Sequence, residues 1–302
     1  MKKTFYSNGK LLITAEYLVL DGATALALPT KFGQNLVVES GNNQQILWKS
    51  FDADKMIWFD EIIAFDEIKN RTLTENQSIK NTLIEILHEG FLKTPDFITN
   101  SLGYNVTTNL TFPRNWGLGT SSTLINNIAQ WLVIDAFELL KNSFGGSGYD
   151  IACAQNDFPI LYRLENKNPI IERVFFEPEF LKNIYFVYLN KKQNSRNAIK
   201  NYRKKEISKT SVLEINKLTN QISRLTNICS FAEAIKKHEI LLSEILEIET
   251  IQNQLFSDFS GTVKSLGAWG GDFVMVVSDE NPTNYFREKG FDTILSFEEM
   301  IL

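Results

Sequence analysis

The sequence is poor in the residues that build metal centres and disulfide frameworks. Its 302 residues include two cysteines and two histidines. Cys153 and Cys229 are too few for a disulfide framework or a paired-cysteine metal site. His88 and His238 lie far apart in the chain, with no partner at the spacing of metal ligands. We therefore interpret both histidines as incidental helix residues.

Basic charge and long apolar runs are also scarce. A net charge of −5 and a pI near 5.3 argue against the broad basic face of a nucleic-acid-binding protein. No segment reaches the roughly 18 apolar residues of a membrane span. Lys10 and Glu16 interrupt the apolar stretch at the start, so we expect no signal peptide. The composition predicts a cytoplasmic globular protein without nucleic-acid or membrane partners.

The periodicity of apolar residues predicts strands and helices in an irregular order. Residues 104–112 alternate between apolar and polar positions as a half-buried strand does, and Pro113 ends the pattern. Runs of strands followed by runs of helices favour an α+β fold, with a domain boundary near residues 165–180. Further strands are predicted at 11–13, 36–39 and 45–48 (the last two joined by a hairpin loop at 41–43), 183–189 and 273–277, and helices at 78–89, 211–228 and 231–247.

The segment PRNWGLGTSS (113–122) has the composition of a phosphate-binding loop and leads into an apolar helical pattern. Glycines allow the backbone to approach an anion, and the following helix offers free N–H groups and the positive end of its dipole. Hydroxyl groups can bind phosphate oxygens or Mg²⁺. The Walker pattern is absent, and an ordinary capped turn is the alternative. The predicted buried side of the helix is formed by Leu124, Ile128, Trp131, Leu132 and Leu139.

Three segments, in this order, resemble the motifs of the GHMP kinases, which include galactokinase, homoserine kinase, mevalonate kinase and phosphomevalonate kinase. SNGKLLITAEY (7–17) is similar to the first motif, PGKxxLxGEY, and PRNWGLGTSS to the second, PxxxGLGSSA. GAWGGD (267–272) is similar to the third motif, GAGGGD, of the phosphomevalonate-type branch. GSGYDIA (146–152) resembles the SGxD segment of the mevalonate and phosphomevalonate kinases, which makes these two enzymes the nearest relatives.

The resemblance implies a GHMP kinase fold in two α+β halves with the substrates in a cleft between them. Residues 1–170 would form the ATP-binding half, similar to ribosomal protein S5 domain 2, and residues 171–302 a ferredoxin-like half. It implies an ATP- and Mg²⁺-dependent kinase, monomeric or homodimeric, acting on mevalonate or phosphomevalonate in isoprenoid precursor synthesis. The alternatives are a sugar or another small alcohol as acceptor, a catalytically silent nucleotide-binding homologue, or an S5-like RNA-binding module.

The same resemblance assigns roles to individual residues. Asp150 would be the catalytic base, and Lys10 would lower the pKa of the acceptor hydroxyl. Ser121 would bind Mg²⁺, with Glu138 as a candidate second ligand. The triphosphate would be lined by Pro113, Gly117, Leu118, Gly119, Thr120, Ser121 and Ser122, and the acceptor bound by Glu16, Ser147, Gly148, Ser195, Arg196, Gly267 and Ala268.

Each charged candidate also has a structural interpretation. Asp150 follows glycines and could be a helix N-cap, and Lys10 could be a surface lysine. Glu16 could tie strand ends together, and Glu138 could lie on a solvated helix face. The segment 190–209 holds eight basic residues and one acidic residue; it could attract an anionic substrate or form a solvated helix.

Three positions depart from the family pattern: Ala15 and Trp269 stand where glycine is usual, and Thr120 where serine is usual. Trp269 is the largest change. Either its indole points away and packs, or it reshapes the acceptor pocket.

Overall fold

The computed structural model describes residues 2–75, 78–192, 195–269 and 271–302, with the backbone alone at 195–197. Its contacts divide the chain into two compact units. Unit 1 comprises residues 1–9, 32–114 and 118–155, and unit 2 comprises residues 10–31, 115–117 and 156–302. This grouping differs from the contiguous halves 1–170 and 171–302, because residues 10–31 and 115–117 make their contacts with the later part of the chain.

Strands β1 and β2 each contribute residues to both units, and the elements that follow them up to residue 155 belong to unit 1. These elements are β1 (Lys2–Leu12), β2 (Ala25–Ser40), β3 (Gln45–Phe51), β4 (Ile57–Ala64), α1 (Phe65–Lys69), α2 (Ile79–Lys93), α3 (Asp96–Thr99), β5 (Tyr104–Leu110), α4 (Thr120–Leu132), α5 (Ala136–Ser143) and α6 (Tyr149–Ala154).

The predicted hairpin between β2 and β3 is wrong. β2 pairs antiparallel with β5 from Gln34 to Ser40, and β5 pairs parallel with β3. The strand at 104–112 therefore lies between the two strands that the loop at 41–43 joins. Gly41 passes so close to Tyr104 that a Cβ there would lie 2.8 Å from its backbone. The turn residues correctly predicted that the chain reverses direction at 41–43. They gave no indication that β5 is inserted between β2 and β3.

The core of unit 1 forms where the helices cover one face of these strands. Helix α2 begins as predicted at Ser78, whose hydroxyl accepts from the N–H of Asn81. In α4, Ile128, Trp131 and Leu132 are buried as predicted, whereas Leu124 is only half-buried and Ile125 takes its place. The predicted Leu139 is also buried, on α5.

Unit 2 contains a four-stranded antiparallel sheet in the order β11-β8-β10-β9. All five residues of β10 are buried. No helix in the described ranges is long and apolar enough to cross a membrane. The elements after residue 155 are β6 (Ile160–Glu165), β7 (Asn168–Arg173), β8 (Ile184–Tyr188), α7 (Ser195–Tyr202), α8 (Lys209–Ile222), α9 (Ile228–Leu246), α10 (Ile251–Leu255), β9 (Thr262–Ser265), β10 (Phe273–Val277), α11 (Thr283–Glu288), β11 (Ile294–Ser296) and α12 (Phe297–Met300), with 3-10 helices at Leu18–Asp21 and Glu179–Asn183.

Candidate active site

The glycine loop of the second motif ends at the start of α4 in unit 1. Gly119, with φ 97°, is the N-cap of α4, and no side chain caps the helix. The N–H groups of the first helical turn have no partner within the helix. They combine with the positive end of the helix dipole to favour an anion at this point. The backbone therefore has the form that phosphate binding requires.

The two serines of this turn differ in exposure. The Ser121 hydroxyl is exposed, whereas Ser122 is 3% exposed and donates to the carbonyl of Gly119 at 2.9 Å. Ser122 can therefore offer a ligand only its N–H. Leu118 is fully buried, so its side chain contributes packing rather than ligand contact, while Thr120 and Pro113 are half-buried.

Asp150 lies in the first turn of α6, also in unit 1. The N-cap of this helix is Gly148, with φ 90°, so the N-cap interpretation of Asp150 is wrong. Its side chain is half-buried, as is that of Ser147. Helix α6 packs against α4, and Gln155 at its end donates to Asn126 at 2.9 Å. The helix that carries the candidate base is thus fixed to the helix that begins at the glycine loop.

Lys10 belongs to unit 2, together with Gly117 of the loop. Its Nζ donates to the carbonyl oxygen of Gly117 at 2.9 Å, and its side chain is half-buried. The interpretation of Lys10 as a solvated surface lysine therefore fails. The structure instead brings the cation of the first motif to the glycine loop of the second.

Asp272 of the third motif lies on the other side of Gly117. A Cβ on Gly117 would come within 2.5 Å of the Asp272 carboxyl carbon. Gly117 also has φ 72°, a backbone conformation that favours glycine, and any larger residue would have to displace the Asp272 carboxylate. In the sequence, the Gly-Gly-Asp ending of the third motif is the only sign of Asp272, and it indicates no role for the carboxylate.

Trp269 is 7% exposed, so its indole packs inside unit 2. The indole Nε1 has no hydrogen-bond partner among the residues that the structure describes. The backbone N–H of Trp269 faces the hydroxyl of Tyr17. Burial raises the pKa of Tyr17 to about 12, against the opposing effect of this N–H. Ala268 is likewise buried, and Gly267 takes φ 65°. Gly270 lies outside the described residues.

Glu16 was predicted to bind substrate, and the structure favours the structural alternative. Its side chain is 1% exposed and forms an ion pair with Lys264, which is fully buried. Burial raises the pKa of Glu16 to about 7, against the opposing effect of Lys264. Such an enclosed carboxylate has no surface left for an acceptor. Lys264 was missed because it lies in an apolar strand pattern without a motif.

Glu138 is also a poor second metal ligand. It is half-exposed and accepts from Lys93 at 2.5 Å, which agrees with a solvated helix face. Across the described ranges, no group of three or more His, Cys, Asp or Glu residues could hold a metal ion. Mg²⁺ needs few protein ligands when phosphates and water complete its shell. The exposed Ser121 hydroxyl fits that mode of binding.

The predicted acceptor residues Ser195 and Arg196 have side chains outside the described part of the chain. The basic segment 190–209, which contains them, makes two contacts with the motif residues. Near its start, the carbonyl of Lys191 accepts from the N–H of Asp272 at 2.6 Å. Further along, Tyr202 stacks on Tyr17 with ring centroids 5.4 Å apart.

No family model matches the sequence, and no curated protein matches it either. Solved structures do. The mevalonate kinase of Methanococcus jannaschii has a TM-score of 0.72 at 18% identity, over 98% of this chain and 97% of that chain. The phosphomevalonate kinase of Streptococcus pneumoniae, in complex with phosphomevalonate and AMPPNP, has a TM-score of 0.73 at 15% identity, over 97% and 99%. The galactokinase of Lactococcus lactis, complexed with galactose, has a TM-score of 0.64 at 12% identity, over 95% and 88%. The chain therefore has the α+β fold of the GHMP kinases, as the three motifs predicted.

Proposed function

We propose that this protein is a GHMP-family kinase that transfers the γ-phosphoryl group of ATP to mevalonate or phosphomevalonate. The observation that carries the proposal is the contact of Lys10 with the carbonyl of Gly117, because it joins the cation of the first motif to the glycine loop. The fold similarity to mevalonate and phosphomevalonate kinases supports the same function.

Phosphoryl transfer depends mainly on positioning and on stabilising charge. In the proposed mechanism, the first-turn N–H groups of α4 hold the triphosphate, and the Ser121 hydroxyl is the protein's ligand to Mg²⁺. The metal ion would neutralise charge on the β- and γ-phosphates. Lys10 would offset the charge that develops on the transferred group.

The role of Asp150 depends on the acceptor. A hydroxyl acceptor must lose its proton during attack, and Asp150 would accept it. The phosphate of phosphomevalonate is already largely ionised near neutral pH, since its second pKa is near 6. A base would then matter much less, and Asp150 would serve to orient the acceptor.

Charge near the third motif favours an anionic acceptor. Lys191 and Lys192 are exposed, and the backbone of Lys191 is bonded to Asp272. Mevalonate carries a carboxylate and phosphomevalonate carries a phosphate in addition, whereas a sugar carries neither. A basic surface of this kind attracts anionic ligands.

The test is ADP release with mevalonate and with 5-phosphomevalonate, in the wild type and in Asp150→Asn. With mevalonate, the substitution should lower kcat by about 100-fold or more, the contribution of a general base. With 5-phosphomevalonate it should lower kcat much less. Asp60→Asn is the matched control, because Asp60 is exposed on β4 and should leave both rates unchanged.

Turnover of neither acceptor by a wild type that binds ATP would contradict the proposal. Sugars and other small alcohols would then be tested, and failure with these would leave a silent nucleotide-binding homologue. Equal activity of Asp150→Asn and wild type with mevalonate would remove Asp150 as the base.

A further inference from the structure

Four ionisable side chains are buried together in unit 2, next to the first and third motifs. Glu16, Glu239, His238 and Lys264 are each at most 2% exposed. Lys264 is paired with Glu16, and its Nζ lies 3.7 Å from Oε2 of Glu239. None of the four can touch a substrate, because none reaches the surface. Their effect on the site must pass through the residues that they hold.

His238 holds the backbone of the first motif. Its Nε2 accepts from the N–H of Ala15 at 2.9 Å, so the neutral ring carries its proton on Nδ1. Ala15 and Tyr17 have φ values of 62° and 65°, and a positive φ costs energy in residues other than glycine. Such a conformation persists only where the surroundings impose it. The bond to His238 is one part of those surroundings.

Lys264 joins the same turn to the third motif. Its Nζ donates to the Glu16 carboxylate and, at 2.8 Å, to the carbonyl of Ser265. The N–H of Ser265 donates to Oε1 of Glu239 at 3.1 Å. Ser265 ends β9, and the third motif begins two residues later at Gly267. Lys264 therefore links Ser265, two residues before that motif, to Glu16, the residue after Ala15.

The two motifs meet at Tyr17 and Trp269. The Tyr17 hydroxyl faces the backbone N–H of Trp269, and the Tyr17 ring stacks on Tyr202. Tyr202 in turn donates to Asp21 at 2.5 Å. Tyr17 is half-buried, unlike the four ionisable residues, so it can present a surface to a ligand.

We propose that His238 and Lys264 are positioning residues of the acceptor site, which act through the Ala15–Tyr17 turn to set the contact between Tyr17 and Trp269. The proposal rests on the proposed kinase function, because it assigns acceptor binding to the third motif. It predicts that changes at His238 alter acceptor binding and leave ATP binding unchanged.

The experiment compares His238→Leu, His238→Gln and Tyr17→Phe. His238→Leu cannot accept from the Ala15 N–H, whereas the amide oxygen of His238→Gln can. Loss of one buried hydrogen bond predicts that His238→Leu raises the acceptor KM by about tenfold, with the ATP KM unchanged. His238→Gln should restore most of the acceptor KM. Tyr17→Phe removes only the hydroxyl that faces Trp269 and should also raise the acceptor KM.

A double-mutant cycle tests whether the two residues act through one another. The effect of His238→Leu with Tyr17→Phe should be smaller than the product of the single effects, because both remove the same alignment. Multiplicative effects, an unchanged acceptor KM, or an equal rise in the ATP KM would overturn the proposal. If His238→Leu does not fold, His238→Asn replaces it in the cycle with Tyr17→Phe, because its shorter side chain should not reach Ala15. His238→Gln, which can reach Ala15, is then the control.

A second measurement does not depend on turnover. Nitrogen NMR of the wild type should show His238 neutral with its proton on Nδ1, even below the ordinary histidine pKa near 6.5. The Ala15 amide should exchange with solvent faster in His238→Leu than in the wild type. If neither acceptor is turned over, the proposed function fails while these two results still report on the turn. A His238 that titrates normally, or an unchanged Ala15 exchange rate, would overturn the positioning role.

Discussion

Two turns with left-handed backbone residues differ in what fixes them. At the start of α4, the conformation is supplied by Gly119, and the turn leaves Ser121 exposed. In the first motif, Ala15 and Tyr17 also have a positive φ without being glycine, and the N–H of Ala15 is held by the buried His238. The first turn is specified by its own residues and stays open to a ligand. The second is specified by His238 and Lys264, more than 200 positions away, and its charged residue, Glu16, is buried.

The largest loss of stability is expected from a substitution at Lys264, the buried cation that pairs with Glu16. Lys264→Met leaves Glu16 and Glu239 buried without a cation, which should cost about 3–5 kcal/mol of the free energy of unfolding. Lys93→Met removes the partner of the exposed Glu138, and such surface pairs are worth about 1 kcal/mol or less. Urea unfolding of the two variants measures the difference. Equal losses would mean that the buried group contributes no more than a surface pair.

Two glycines with similar φ angles differ in the space around them. Gly117 and Gly145 have φ values of 72° and 77°, but a Cβ on Gly145 meets nothing within 4 Å. Gly145→Ala should cost about 1–2 kcal/mol of stability, the price of left-handed backbone alone. Gly117→Ala adds a clash with Asp272, about 1–3 kcal/mol more, and should raise the ATP KM. The measurements are urea unfolding and ATP titration.

The double variant Gly117→Ala/Asp272→Gly, measured against Asp272→Gly alone, separates the two causes, because Asp272 also has a positive φ of 54° that glycine relieves. Without the carboxylate, Gly117→Ala should cost only its backbone strain. No recovery of stability would show that Asp272 moves aside freely in Gly117→Ala.

The pH dependence of stability should also distinguish the enclosed carboxylate. The pKa of Glu16 is raised from 4.5 to about 7, so the folded protein retains a proton that the unfolded chain releases between these values. This stabilising contribution is present below pH 4.5 and is lost as the pH rises through 7. Relative to the wild type, Glu16→Gln should therefore gain stability as the pH increases across this window. Unfolding by urea at several pH values checks the sign.

His238 should oppose Glu16 in the same experiment. Burial lowers its pKa well below 6.5, so its contribution is present above that value and is lost as the pH falls below it. In the variant Glu16→Gln, this acid-side loss should remain. Burial also raises the pKa of Glu239, so the test is repeated in Glu16→Gln/Glu239→Gln. A flat profile in that double variant would contradict the buried neutral state of His238.

The smallest predicted effects separate the two serines of the glycine loop. Ser122→Ala removes a hydrogen bond to Gly119 and should cost about 1 kcal/mol of stability. Ser121→Ala should leave stability unchanged and lower kcat, because the hydroxyl is exposed and proposed to bind Mg²⁺. Thermal unfolding and ADP release check both. Reversed effects would exchange the roles of the two residues.

Periodicity predicted the fold well where an element is stabilised locally. The strand at 273–277 has the predicted bounds, and the helix at 78–89 and the strand at 104–112 are present with shifted ends. The hairpin at 41–43 was wrong because strand pairing is not local: β5, some 60 residues later, takes the place beside β2 that the turn suggested for β3. Nothing in the turn itself carries that information.

The candidate site was also predicted only in part. The resemblance of three motifs placed Lys10 and Gly117 as candidates, and the structure joins them. The resemblance also made Glu16 and Glu138 candidates. In the structure, Glu16 forms an ion pair with Lys264 and Glu138 forms one with Lys93. A carboxylate in a motif shows no sign of whether a distant lysine neutralises it. That distinction depends on tertiary contacts that one sequence does not display.

Unit 2 consists of three separated segments of the chain, and this affects how the protein can fold during its synthesis. Residues 10–31 contain a largely buried strand, and the partners that bury it lie after residue 155. A ribosome releases the chain from its N-terminus, so this apolar segment stays uncovered until more than 120 further residues have been made. A nascent chain stalled before that point would expose an aggregation-prone strand, and chaperone binding to arrested chains should fall sharply once the later segment emerges.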